Sequence, residues 1–196
     1  MKISNIHYLL ILVTIIFSCA KKEDDSQTTV KYITKLNSVS PLGSISVGND
    51  SLEGSYASTC LNFSDTAWSS IGQYFTVTGN TSVNFTYNYY SDASCGTPTG
   101  YISYYLDNVT IGNLVNENYQ VDVTQTKFTF KPYDNSFKSY VDTNYFLTTT
   151  VGEEYDMIYG LPGKSLIKTT STSVKFGNLL PSSYPTENSG VELIKQ

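Results

Sequence analysis

The chain has 196 residues, a hydrophobic content of 40% and a formal net charge of −5, which suits one domain with one core and offers no basic footprint for nucleic acid. Charged residues make up only 15%, while tyrosine (17) and phenylalanine (9) are frequent, a mixture typical of half-buried β-strands. The single histidine, His7, lies in the N-terminal leader, so no Ser-His-Asp triad or histidine-ligated metal is available after it, and we expect neither an enzyme nor a cofactor.

The first 18 residues have the pattern of a secretory signal peptide. Lys2 provides a positive start, and the apolar run Tyr8–Phe17 is shorter than the ~20 residues that a membrane-spanning helix needs. The following Ile16-Phe17-Ser18-Cys19 resembles the lipobox of bacterial lipoproteins, in which a peptidase cleaves before a lipidated cysteine. This resemblance implies that Cys19 becomes the lipidated N-terminus of a protein anchored to the outer membrane. An ordinary signal peptide with an incidental cysteine is the alternative.

Residues 19–29 are polar and show no apolar period, so they predict a flexible tether between the membrane and the domain. The acidic run Glu23-Asp24-Asp25 resembles a surface-export tag of some Gram-negative bacteria, but a solvated linker explains it equally well. The sequence therefore leaves open whether the protein faces the periplasm or the outside.

Two cysteines remain once Cys19 is assigned to lipid. Cys60 and Cys95 would lie in an oxidising compartment, and an even number of cysteines there favours a disulfide. There is no CxxC motif and no neighbouring histidine to activate a thiolate. The pair is therefore predicted to have a structural role.

From residue 30 to residue 196 the chain predicts a single antiparallel β domain. Apolar and polar residues alternate in Ile71–Thr78 and again from Val83 to Tyr89, and the intervening Gly79-Asn80 is suited to a tight hairpin turn. Val30–Leu36 is either an edge strand or a lead-in. Further predicted strands are Leu52–Phe63, Tyr101–Leu106 joined to Val109–Ile111, Tyr119–Thr124, Lys127–Lys131, Tyr145–Val151, Tyr155–Tyr159, Leu166–Phe176 and Val191–Ile194.

Turn residues separate these strands. Gly112-Asn113 and Gly160–Gly163 predict chain reversals, and Asn135–Asp142 is predicted to be one or two helical turns or a loop. About eight to ten short strands with turns between them are typical of a small antiparallel up-and-down barrel, with a β-sandwich as the alternative.

A family resemblance covers the chain from Leu52 to the C-terminus. It is carried by Gly54-Ser55-Tyr56, the two cysteines, Tyr89-Tyr90-Ser91-Asp92 before Cys95, Lys175-Phe176-Gly177 and Pro185-Thr186. These features resemble a group of small bacterial lipoproteins with a lipocalin-like barrel, although Tyr56 stands where lipocalins place tryptophan. The resemblance implies the barrel fold and transfers no catalytic or ligand-binding residue.

Tyrosines form the strongest candidate contact residues. Adjacent residues of a strand point to opposite faces, so one member of Tyr89-Tyr90 and one of Tyr104-Tyr105 must face outward. Tyr90, Tyr104 and Tyr105 are therefore candidates for ligand or surface contact, against the alternative that they form barrel core and cross-strand pairs.

The acidic segment Glu153–Asp156 is a second candidate. Strand alternation places Glu154 and Asp156 on one face, where carboxylates could bind calcium or act as a glycosidase pair. A solvated strand face is the alternative that we favour.

Two functions remain open. The first is a lipid-anchored, non-enzymatic binding module for a small apolar ligand or an envelope component. The second is a surface interaction, adhesion or envelope-assembly accessory protein. The barrel interior distinguishes them, because ligand binding needs unfilled volume inside the barrel, whereas an interior filled by aromatic side chains argues against it.

Overall fold

The computed structural model of the chain describes residues 33, 35–62 and 68–196. All of them belong to one structural unit, Lys31–Gln196. The predicted signal peptide (residues 1–18), the lipidation site Cys19 and the whole predicted tether (residues 19–29) lie outside the described residues. In the described part of the chain, no helix is both long and apolar enough to cross a membrane.

Strands dominate this part of the chain, with one helix, α1, at Asn135–Tyr145. The strands are β1 (Ser44–Val47), β2 (Asp50–Glu53), β3 (Ser55–Ala57), β4 (Leu61–Asn62), β5 (Ser70–Gly79), β6 (Ser82–Tyr90), β7 (Pro98–Val115), β8 (Asn118–Pro132), β9 (Tyr155–Thr169), β10 (Ser173–Phe176) and β11 (Glu192–Lys195).

The strands from β3 onward form a ring. Their order is β3-β11-β10-β9-β8-β7-β6-β5-β4, and an additional pairing of β3 with β5 closes eight of them into a circle. Every pairing is antiparallel, and β5 to β10 follow one another in chain order. The predicted all-β, up-and-down barrel is therefore confirmed. The separate β1–β2 hairpin was not predicted from the sequence.

Several predicted boundaries are wrong. The predicted strand Leu166–Phe176 is the end of β9, a turn, and β10, which pairs back onto β9. The β7–β8 turn lies at Asn116-Glu117, where both residues adopt left-handed φ angles of 47° and 63°, and not at Gly112-Asn113. The predicted turn at Gly160–Gly163 is instead a part of β9, because Leu161, Pro162 and Gly163 pair with β8 and only the neighbouring Gly160 lies at a register shift. Tyr145–Val151 contains the end of α1 and an irregular loop instead of a strand.

Helix α1 is longer than the predicted one or two turns. Asp134 caps its N-terminus by accepting a hydrogen bond from the Phe137 backbone nitrogen at 2.8 Å. Phe137 and Val141, one helical turn apart, are both buried against the barrel. A Cβ at Gly100 on β7 would lie 2.1 Å from the Phe137 ring, so this glycine permits the close approach of the helix.

Described residues before β1 cross the outer face of the barrel. The predicted strand or lead-in at Val30–Leu36 is irregular at its described residues 33, 35 and 36. Asn37 then places its amide nitrogen 2.7 Å from the Thr86 hydroxyl on β6 and 2.8 Å from the Ser103 hydroxyl on β7. This segment is therefore held to the barrel by polar contacts.

One half of the barrel interior is filled with aromatic rings. Phe85 on β6 and Phe176 on β10 come from opposite sides of the ring of eight strands, and their ring centroids lie 6.2 Å apart. Phe75 on β5 lies 5.9 Å from Phe176. Ile45 and Leu52 of the β1–β2 hairpin belong to the same buried cluster. The hairpin therefore covers this end of the barrel, and aromatic rings from several strands meet across the interior at this level.

A disulfide joins Cys60 and Cys95, whose Cα atoms are 5.8 Å apart, which confirms the predicted pairing. The loop that carries Cys95 is organised by Asp92. Its carboxylate accepts hydrogen bonds from the Ser94 hydroxyl and from the backbone nitrogens of Gly96 and Thr97. These bonds, that of Ser94 first, hold the pKa of Asp92 well below its usual range. The disulfide thus ties the chain just before β4 to a preorganised β6–β7 loop.

Candidate ligand site in the barrel interior

The buried residues of the barrel fall into two clusters. One lies at the β1–β2 end around Phe75 and Phe176, and the other lies at the α1 end around Phe130 and Phe137. Several half-buried tyrosines pack against one or both clusters, and we call four of them the tyrosine layer. The tyrosine layer consists of Tyr87 on β6, Tyr104 on β7, Tyr145 on α1 and Tyr159 on β9.

Strand register places Tyr87 and Tyr104 inside the barrel. Tyr104 is the cross-strand partner of the interior residue Phe85, and directly opposed residues share a face of the sheet. Tyr87 follows Phe85 by two positions and therefore points the same way. Both tyrosines contact the two clusters, so they mark the boundary between them.

Tyr87 and Tyr104 combine a deep position with residual exposure. Burial raises the pKa of Tyr87 to about 12 and raises the pKa of Tyr104 well above its ordinary value. Neither residue is classed with the buried core, because each keeps part of its surface accessible. A side chain that points into the barrel and keeps accessible surface borders space that protein atoms do not fill. The boundary between the two clusters is therefore incompletely packed.

Hydroxyl and amide groups supply the polarity of this space. Tyr104 and Tyr145 share a side-chain hydrogen bond, and the Gln125 side chain donates to the Tyr159 hydroxyl. Gln125 is only 4% exposed, so this amide lies inside with the tyrosines. Burial raises the pKa of Tyr159 as well. All these groups are uncharged near neutral pH.

Phe128 forms an apolar wall of the same space. Its ring centroid lies 5.1 Å from Tyr145, 5.6 Å from Tyr159 and 6.1 Å from Tyr104. Phe128 itself is 4% exposed. A concave space with aromatic walls and a few convergent hydroxyl groups has the character of a small-molecule site.

The three candidate tyrosines do not form one site. Tyr104 faces the interior, whereas Tyr105 lies on the outer face with the Lys127 nitrogen 4.2 Å from its ring centroid. Tyr90 is 2% exposed, and burial raises its pKa to about 12. It follows Tyr89, which belongs to the cluster at the α1 end, so Tyr90 points away from that cluster. Only Tyr104 therefore belongs to the tyrosine layer.

Three members of the layer were not singled out from the sequence as contact residues. Tyr87 belongs to the alternating run from Val83 to Tyr89, whose pattern is typical of core residues, and its alternation with Phe85 does place it inside. Tyr145 was assigned to a strand that does not exist, and Tyr159 preceded a turn that does not exist. A correct helix boundary at Tyr145 would have shown that it shares a face with Phe137 and Val141.

The acidic segment Glu153–Asp156 is engaged with neighbouring strands. Tyr101 donates its hydroxyl proton to Glu154, and Lys127 lies 3.3 Å from Asp156. Glu154 and Asp156 are exposed and Tyr155 is half-buried, as expected from strand alternation. In the described ranges, no group of three or more His, Cys, Asp or Glu residues could hold a metal ion.

Comparisons with known proteins matched this chain to no protein-family model and to no curated protein.

Proposed function

We propose that this chain is a non-enzymatic binding module that takes a small, largely apolar ligand into the barrel interior between the two core clusters. The observation that carries the proposal is the residual exposure of Tyr87 and Tyr104 at a depth where burial raises their pKa values. The aromatic wall of Phe128 and the hydroxyls of the tyrosine layer would supply stacking and hydrogen bonds. A ligand of this kind would fill the space that the two clusters leave.

A matched pair of variants tests the interior site. Tyr104→Trp adds volume inside the barrel, while Tyr105→Trp makes the same change on the outer face. The probe is N-phenyl-1-naphthylamine, an uncharged fluorophore that brightens in apolar surroundings. We expect Tyr104→Trp to weaken probe binding about tenfold or more. The larger side chain would occupy space that the probe needs, and overpacking of this kind costs about 1–3 kcal/mol. Tyr105→Trp should bind the probe as the unmodified chain does.

Folding of both variants is checked by circular dichroism and thermal melting, and Tyr87→Trp replaces Tyr104→Trp if the latter does not fold. Equal probe affinities for the interior variant and for Tyr105→Trp, or no binding by the unmodified chain, would show that the interior is not a ligand site.

The second candidate function is a surface interaction protein, and one edge of the barrel favours it. Among the described residues, β9 pairs with β8 from Tyr155 to Ile167, but β10 reaches only Ile167–Thr169 of β9 and Leu180 adds a bridge at Lys164. Tyr155–Gly163 therefore presents an open strand edge, and Ile158 within it is 83% exposed. If the protein has this second function, the interior holds no ligand site, and neither tryptophan variant should alter probe binding.

The cellular location of the protein is also a proposal. We propose that it is a lipoprotein of the bacterial envelope, anchored to the outer membrane through lipid on Cys19, because Ile16–Cys19 resembles a lipobox. Cys19→Ala should abolish incorporation of an alkyne-tagged fatty acid and, because cleavage requires the lipidated cysteine, should leave the leader attached and the protein at a higher apparent mass. Ser18→Ala keeps a small residue before the cysteine and should be labelled normally. Persistent labelling of Cys19→Ala would contradict the anchor.

A further inference from the structure

Resting on the proposed function, we infer that the interior site selects uncharged ligands that carry a hydrogen-bond acceptor, and that it rejects carboxylates, sulfonates and ammonium groups. The inference concerns the chemical class of the ligand, which the proposed interior site does not by itself decide.

Among the described residues, no charged side chain is buried in the interior. The chain contains no arginine, and none of the described lysine, aspartate or glutamate residues is buried. Lys127 and Asp156 are examples of charged residues on the outer face, where they form an ion pair at 3.3 Å. An ionised ligand would therefore be taken out of water without a counterion, and such burial costs several kcal/mol.

The tyrosines report on the same environment. Desolvation is the first cause of the raised pKa values of Tyr87, Tyr104 and Tyr159. Surroundings that penalise a phenolate penalise a ligand anion for the same reason. The same shifts keep the hydroxyls protonated in the physiological range, so they remain hydrogen-bond donors.

The polar contacts suggest which ligand group is recognised. The Tyr159 hydroxyl accepts a hydrogen bond from Gln125, so its own proton is available for another acceptor. A carbonyl, ether or hydroxyl oxygen on an otherwise apolar ligand would satisfy this donor. A hydrocarbon would leave it unpaired if it displaced the local water, which costs about 1–3 kcal/mol.

Two probes that share one ring system test the selectivity. N-phenyl-1-naphthylamine is uncharged, and 8-anilinonaphthalene-1-sulfonate is the same skeleton with a sulfonate. Both are titrated into the mature chain, residues 19–196, carrying Cys19→Ala, which lacks the apolar leader and the lipid and therefore needs no detergent. We expect the uncharged probe to bind at least about tenfold more tightly, which corresponds to about 1.4 kcal/mol.

A charge introduced into the site should change this preference. Gln125→Lys places an ammonium group beside the tyrosine layer and should raise the affinity for the sulfonate relative to the uncharged probe by about tenfold or more. Thr124→Lys places the same charge on the opposite, outer face of β8 and should keep the original preference. Thermal melting verifies that each variant is folded before titration.

The outcomes separate the two proposals. If neither probe binds the chain, the proposed interior site is wrong and this inference falls with it. If both probes bind equally, or the sulfonate binds more tightly, and Tyr104→Trp weakens that binding, the interior site stands and the selectivity is overturned. An unchanged probe preference in folded Gln125→Lys would also overturn it, because the added charge would then lie outside the site.

Discussion

Replacing Phe75 with alanine is expected to lower the free energy of unfolding by about 3–5 kcal/mol, the usual range for large-to-small changes in a packed core. Phe75 is 1% exposed. Its ring centroid lies 6.1 Å from Tyr56, 6.3 Å from Phe85 and 5.9 Å from Phe176. Because these rings come from different sides of the barrel, no single neighbour can move into the cavity that Phe75→Ala would leave.

Urea denaturation followed by tyrosine fluorescence measures this loss. Phe146→Ala is the matched control, since Phe146 is 83% exposed and its truncation should change stability by no more than about 0.5 kcal/mol. Similar midpoints for the two variants would mean that the aromatic contacts across the barrel do not hold the fold together.

Removing the disulfide is expected to lower stability by about 4 kcal/mol, because the bond closes a loop of 35 residues and restricts the unfolded chain. The native barrel should still form, since Cys60 and Cys95 connect a strand end to a loop and leave the two core clusters untouched. The change is therefore expected in the unfolding midpoint and not in the circular dichroism spectrum of the folded protein.

Thermal melts of the Cys60→Ser/Cys95→Ser variant measure this effect. A reducing agent should lower the melting temperature of the unmodified chain towards that of the variant and should leave the variant itself unchanged. If the reducing agent lowers both melting temperatures equally, or neither, the disulfide does not provide the stability assigned to it.

Local patterns predicted several parts of the fold correctly. The hairpin of β5 and β6 follows from strict alternation on both sides of the turn, but the turn lies at Asn80-Thr81, one residue after the predicted Gly79-Asn80, because Gly79 still pairs with Ser82 after a register shift. The pairing of Cys60 with Cys95 follows from cysteine arithmetic. Both signals are local or compositional, so they can be recognised without knowledge of the neighbouring strands.

The errors occurred where distant partners override local preference. Gly160–Gly163 has the composition of a turn, but continuous pairing with β8 keeps it extended within β9. Helix α1 has a weak apolar pattern, and its position depends on the space that Gly100 leaves for Phe137. Neither the length of β8 nor the absence of a side chain at Gly100 can be recognised as decisive before the strands are assembled.

The candidate site shows the same division. Alternation required that Tyr104 and Tyr105 face opposite sides, but not which of them faces the interior. Tyr145 joins the site through a helix that the sequence indicated only as a possible turn or two, and Tyr159 joins through a strand whose extent was misjudged.

The amino-acid sequence by itself determined the all-β class and the disulfide, and it favoured an up-and-down barrel over a β-sandwich, because alternation, turn residues and cysteine count act over short distances or through composition. Only the tertiary structure decided that the interior is filled at the level of Phe85 and Phe176 and incompletely packed at Tyr87 and Tyr104. The physical reason is that packing depends on which side chains meet across the barrel, and those residues lie far apart in the chain.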